Sequence, residues 1–209
     1  MDHTPQSAYA HLRDTHPRWF RTPSGDGAIS IMRWPMTEGQ VLHRDEDHLV
    51  LEDPVVLPDG QHARRLRLLA ARPEPQVAVL PLLEGGVVLT DRFRHATRTW
   101  HWEIPRTTGV DGLADADQAA RHMQAQLGTQ VLELVGLGRV HADAEVLAEP
   151  VCLYAARIDA VGAVAHGEGI RRARTVPFAE AEEMAMTGQI TDATTIAALF
   201  RARRTGLAG

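Results

Sequence analysis

Two side chains four residues apart in the stretch AARHMQAQLGTQV, His122 and Gln126, are the first candidates for chemistry. On a helix that spacing puts both on one face. A neutral imidazole there can serve as general acid or base, and an amide adds donors and an acceptor without charge. The competing reading is a helix histidine that only hydrogen-bonds a neighbour. His122, His141 and an acid could in principle hold a transition metal, but the spacing matches no metal-ligand pattern. In WHWE, residues 100–103, Trp100 and Trp102 flank His101, so both indoles lie on one face of a strand. They are either core or the wall of a pocket that stacks a base or ring. Cys152, in an apolar run, reads as a small buried hydrophobe.

The elements that must position these groups are legible from periodicity and turn signals. Residues 1–27 read as a short helix (SAYAHLRDTH) and a Pro/Gly/Ser loop. Residues 28–72 turn to strands, AISIMRW, HLVLEDPVVL and HARRLRLLAA, with the tight-turn signal PDG between the last two. QVAVLPLLEGGVVLTDRFR reads as a hairpin around Glu84-Gly85-Gly86, and WHWEIPR as a further short strand. A helix is expected over about Asp115 to Leu127, with Ala116, Ala119, Ala120, Met123 and Leu127 as its apolar stripe and Gly128 as its C-cap. Three strands and two helices follow, within VLELVGLGRVHA, EPVCLYAARI, RRARTVPF, AEAEEMAMTG and DATTIAALFRARR. The order predicts an α+β domain.

Bulk properties narrow the function. The chain has 209 residues, net charge −5, 44% hydrophobic and 23% charged residues, a balance that offers no general affinity for nucleic acid or membrane. All 22 basic residues are Arg. One cysteine excludes an intramolecular disulfide framework and fits a reducing cytoplasm. The N-terminal residues carry no apolar run of signal-peptide length.

The order of these pieces resembles the Nudix hydrolase superfamily, in its ADP-ribose pyrophosphatase branch, from about Val41 to Leu199. VVLTDRFRHA is similar to the family's strand ending in an Arg-containing turn, WHWEIPR to its Trp-Glu-Leu-Pro-Ala-Gly segment, and VPFAEAEEMAMTGQITDATTIAALF to its C-terminal helical signature. AARHMQAQLG falls where the Nudix helix belongs. The resemblance implies a Nudix-type α/β/α sandwich with an N-terminal β-strand extension: an appendage over 1–27, an extension over 28–72 that pairs subunits into a homodimer, and the Nudix-like domain over 73–209.

The family box, G-x5-E-x7-R-E-U-x-E-E-x-G-U with U apolar, is altered in its chemistry. Its first Gly falls on Thr107 and its first Glu on Leu113. Arg121, Met123 and Gly128 are kept, but His122 replaces the Glu after the Arg, and Ala125-Gln126 replaces the Glu pair. In the family those carboxylates hold Mg²⁺, a hard cation that wants anionic oxygen ligands. An imidazole and an amide supply none, so no metal site and no cofactor is expected here, with Mg²⁺ weak or absent. Arg121 and the apolar stripe are expected to keep the helix packed.

The resemblance also assigns candidate ligand contacts. Arg94 matches the arginine that contacts the substrate diphosphate, and a guanidinium can bind phosphate bidentately without metal. Glu149 matches a late catalytic or ligand-contacting glutamate, with Glu145 and Asp143 nearby. Glu103 matches the Glu of the Trp-Glu-Leu-Pro segment, and Arg106 stands where the family has a small residue whose carbonyl binds metal. The expected function is binding of a nucleotide or other phosphate-containing small molecule without the usual Mg²⁺-dependent hydrolysis. Its rivals are a metal-independent, possibly biosynthetic enzyme using His122 and Glu149 as an acid–base pair, and a residual hydrolase with metal on Glu149 and Glu145. A purely structural dimer is the last.

Overall fold

A computed structural model of the chain describes residues 4–22, 25–32, 39–71, 75–107 and 115–207. The chain divides into two compact units, one of Met1–Pro73 with Asp143–Glu149, the other of Glu74–Ala142 with Pro150–Gly209. Among the described residues no helix is long and apolar enough to cross a membrane.

In the first unit helix α1 (Pro5–Thr15) starts on Thr4, whose hydroxyl accepts from the Ser7 amide, with Pro5 in the first turn where its missing N–H costs nothing. Four strands follow: β1 (Ser30–Ile31), β2 (Gln40–Arg44), β3 (His48–Val56) and β4 (His62–Ala70). β3 and β4 pair antiparallel along their whole length across the PDG turn, and β1 and β2 both pair with β3. Tyr9, Leu12, Phe20, Leu49, Leu51 and Leu69 form the core. Gly39 makes room for it, since a Cβ there would lie 2.2 Å from the Tyr9 ring.

Within that core sits a buried charge. Asp53 is 1% exposed and accepts from the Tyr9 hydroxyl at 2.6 Å and from Arg67 through both Nε and Nη2. Arg67 also donates to the Trp19 carbonyl at 2.7 Å and lies over the Phe20 ring. Burial, then the Asp53 carboxylate, pushes the Tyr9 phenol well above its usual range. The residues 143–149 add to this unit's sheet: Leu68 donates to the Val146 carbonyl and accepts from the Ala148 amide, in parallel register with Leu147.

The second unit is built on a sheet of seven strands: β5 (Gln76–Leu83), β6 (Gly86–Arg94), β7 (Thr99–Glu103), β8 (Arg106–Thr107), β9 (Val131–Val140), β10 (Val151–Ile158) and β11 (Ile170–Pro177). Its central order is β11-β6-β5-β10-β9, with β5 and β10 parallel; β7 pairs with β6 and β8 with β5. Alternation along β5 divides the core in two. Val77 and Val79 pack with Ala119, Met123 and Leu127 of α2 (Asp115–Leu127). Ala78 and Leu80 join Phe178 and Met184 of α3 (Phe178–Met186) and Ala198 and Leu199 of α4 (Ala193–Arg204). The result is the expected α+β architecture, an α/β/α sandwich.

Two details depart from the sequence reading. Ala116 and Ala120 are exposed, while Gln118, His122 and Gln126 are buried beside Ala119, Met123 and Leu127. The helix therefore buries two adjacent i, i+4 rows, one apolar and one polar. Arg121 is exposed, so the apolar row holds the helix in place. Leu113 of the altered box lies outside the described residues.

Replacing Asp53 by Ala leaves the Arg67 charge and the Tyr9 hydroxyl buried without their acceptor, and is expected to cost about 3–5 kcal/mol. Tyr9→Phe, which removes one hydrogen bond, is expected to cost about 1 kcal/mol. Urea denaturation of both variants checks the ranking.

Candidate functional site

The β5–β6 hairpin pairs only at Leu82–Val87 and Leu83–Gly86. Beyond those positions β6 pairs with β7 and β5 with β8. Gly86 permits the tight start, because a Cβ there would meet the Val176 carbonyl at 2.7 Å. Along β6, Val88 faces the α2 layer and Leu89 the other, so Arg92 and Arg94 project on the α2 side. With Gln76, Arg106, Thr107, His122 and Glu168 they line a cleft of about 380 Å³.

The cations of this cleft differ in how well they are neutralised. Arg94 is held by Glu103, which is 2% exposed and accepts from Nε at 2.8 Å and from Nη2. Arg106 donates to the Thr194 hydroxyl at 3.2 Å and faces Asp192, the N-cap of α4. Among the described residues Arg106 lies 3.9 Å from Asp192, and the Arg92 side chain has long contacts, 3.5 Å to the Arg106 carbonyl and 3.4 Å to a Glu168 oxygen. Burial, then the like charge of Arg94, holds its pKa below the usual guanidinium range. A half-buried cation with its charge incompletely matched favours an anion beside it.

From the polar row of α2, His122 lines the cleft and Gln126 lies behind it, bonded to the cleft's Glu168. Gln126 donates its amide nitrogen to Glu168, which fixes the side-chain orientation, since the reverse flip would set the amide oxygen against a carboxylate. His122 hydrogen-bonds the Arg106 backbone. Two buried atoms have no partner among the described residues, His122 Nε2 and Gln126 Oε1. Burial lowers the His122 pKa to about 4, with Arg92 acting in the same direction and Glu168 and Gln126 against it. At neutral pH the ring is uncharged, with one nitrogen a donor and the other an acceptor.

The remaining sequence candidates lie elsewhere. Trp100 and Trp102 pair across the strands with Phe93 and Asp91, on the sheet face opposite Arg92 and Arg94, and neither lines the cleft. Arg171 stacks on Trp100 at 4.2 Å, and Arg172 on Trp102 at 5.1 Å. Glu145 and Glu149 belong to the first unit. Glu145 is exposed, and Glu149 accepts from the Ala70 amide at 3.0 Å with its carboxyl raised by burial. The carboxylate that the second unit brings to the cleft is Glu168, from the turn His166–Glu168. Sequence reasoning missed it, and missed Arg92. The signal for Arg92 was its i, i+2 relation to Arg94; Glu168 stands between two glycines with no periodicity around it.

The donor set does not suit the Mg²⁺ of the resembled family. Among the described residues three arginines, a neutral imidazole and an amide line the cleft with one carboxylate, Glu168, which Arg92 and Gln126 already engage. A strongly hydrated dication needs more anionic oxygen than this. Among the described residues no three His, Cys, Asp or Glu side chains cluster as metal ligands.

No protein-family description and no curated protein matches the chain. In structure the chain is similar to the crystal structure of an ADP compounds hydrolase, with a TM-score of 0.70 over 88% of this chain and 96% of that one, at 13% identity. The likeness is one of fold, and the fold is Nudix-like.

The buried neutral imidazole makes stability depend on pH. Its folded pKa, about 4, lies below the unfolded value of 6.5, so the unfolded chain binds the proton first. Stability is full above about pH 6.5 and falls as pH drops toward about 4, by on the order of 3 kcal/mol. His122→Gln removes this component, so the wild-type minus variant difference in unfolding free energy, measured across that range, should change with this sign.

Proposed function

We propose that the protein binds a phosphate-bearing, nucleotide-type anion in the Arg92–Arg94–Arg106 cleft without Mg²⁺-dependent hydrolysis. The observation that carries this reading is the convergence of three arginines on one cleft, with the carboxylates of Arg92 and Arg106 only at 3.4 Å and 3.9 Å among the described residues, beside an α2 face that holds an imidazole and an amide in place of carboxylates. Guanidinium groups take phosphate oxygens in a planar fork and need no bridging cation. The fold neighbour is an ADP compounds hydrolase, which makes ADP-ribose and ADP the first probes. A cleft of about 380 Å³ accommodates part of such a molecule, the phosphates above all.

A second reading, metal-independent acid–base catalysis, is favoured by one feature, the unpartnered Nε2 of His122. Its lowered pKa makes the free imidazole a weak base at neutral pH, which favours binding over proton abstraction.

Calorimetric titration of ADP-ribose, in Mg²⁺ and again in EDTA, tests both. Saturable binding that EDTA leaves unchanged, with no AMP formed, is the expected result; Arg92→Met should weaken it by about tenfold or more. Magnesium-dependent AMP release would refute the proposal. Turnover in EDTA that disappears in His122→Gln would instead establish the second reading.

A further inference from the structure

His122 Nε2 and Gln126 Oε1 are both buried, both without a partner among the described residues, and belong to residues four apart on one helix face. A flip of the amide does not relieve its oxygen, because the Gln126 nitrogen is committed to Glu168. Each unsatisfied buried polar atom destabilises the empty cleft. Protonation makes both ring nitrogens N–H donors on this face, beside the Gln126 side chain. The Gln126 side chain does act to favour the charged ring.

What opposes that proton is identifiable. Burial is the largest effect, and among charges the opposing one is Arg92 of β6. Arg94 beside it is paired with Glu103 of β7, and Arg106 of β8 faces Thr194 and Asp192. Glu168, from the turn before β11, is the one carboxylate that favours the charged ring. An anion seated on Arg92 cancels the repulsion that keeps the imidazole neutral and adds an attraction of its own.

We infer that the cleft binds its anion together with one proton, carried on His122 and shared with Gln126. The inference rests on the anion-binding reading above and specifies its regulation. A proton enters from solvent, the imidazole becomes imidazolium, and no bond other than N–H forms. The site gains a positive charge only when a negative one arrives. Affinity therefore falls as pH rises, and the cleft favours doubly charged anions over singly charged ones.

Methanedisulfonate is a suitable probe, a diphosphate-like dianion whose acid groups stay ionised throughout. Titrations of the full chain in EDTA, near pH 6 in two buffers of different ionisation enthalpy, read the protons taken up per ligand. Wild type should take up roughly half a proton or more, with affinity changing by up to about tenfold per pH unit. His122→Gln should bind with no uptake and a flat pH profile, and Gln126→Met should take up less than wild type. The His122 ring ¹⁵N resonances of wild type provide a readout that needs no variant, passing from neutral to doubly protonated as the disulfonate is added. Binding that depends on Arg92 but brings no proton would overturn the inference and leave the anion site standing. Failure of disulfonate and ADP alike to bind would overturn both.

Discussion

Two strands joined by a tight turn ordinarily pair along their length, yet β5 and β6 stay together at only two register positions. Everything at the cleft depends on that parting. It gives β5 to β8, which delivers the Arg106 carbonyl and Thr107, and gives β6 to β7, which delivers Glu103 opposite Thr90 with its carboxylate on Arg94. Had the hairpin run on, Arg92 and Arg94 would face a closed sheet with no carbonyl for His122 to meet.

The charge arrangement that follows is unusual for a cavity beside a helix. Cations come from the sheet, and the helix answers them with uncharged acceptors rather than carboxylates. Glu103 neutralises Arg94 through two contacts, whereas among the described residues Arg92 and Arg106 have their carboxylates only at 3.4 Å and 3.9 Å. Interactions of this kind are strong because the groups are partly removed from water. An imidazole and an amide on this helix face add no negative charge beside the sheet's cations, and the apolar row packs the helix independently of them.

How much of this was legible in the sequence depends on whether a signal was local. Strand alternation and the PDG and EGG turns marked the hairpins, and the bounds of α2 followed from its apolar spacing and Gly128. Arg94 and Arg106 were candidates through the family resemblance and His122 and Gln126 through their helical spacing; Arg94, Arg106 and His122 line one cleft, with Gln126 buried behind it. The burial of His122 and Gln126 was not legible, because an amphipathic pattern assigns polar rows to solvent unless something covers them. Here the covering groups come from β6, β8 and a distant turn, all far away along the chain. Glu168 and the pairing of 143–149 with β4 were hidden for the same reason: both depend on long-range placement with no periodic trace.

That pairing has a further meaning. The chain leaves the second unit after β9, contributes seven residues to the sheet of the first, and returns as β10. The N-terminal unit is thus discontinuous in sequence. A gene fragment ending near residue 73 would encode β4 without its neighbouring segment, exposing the Leu68 amide and carbonyl and the Ala70 amide along a bare edge. Such an edge invites pairing with other chains. The two units are therefore poor candidates for separation by simple truncation, and recombination during evolution would have to move them as one cassette.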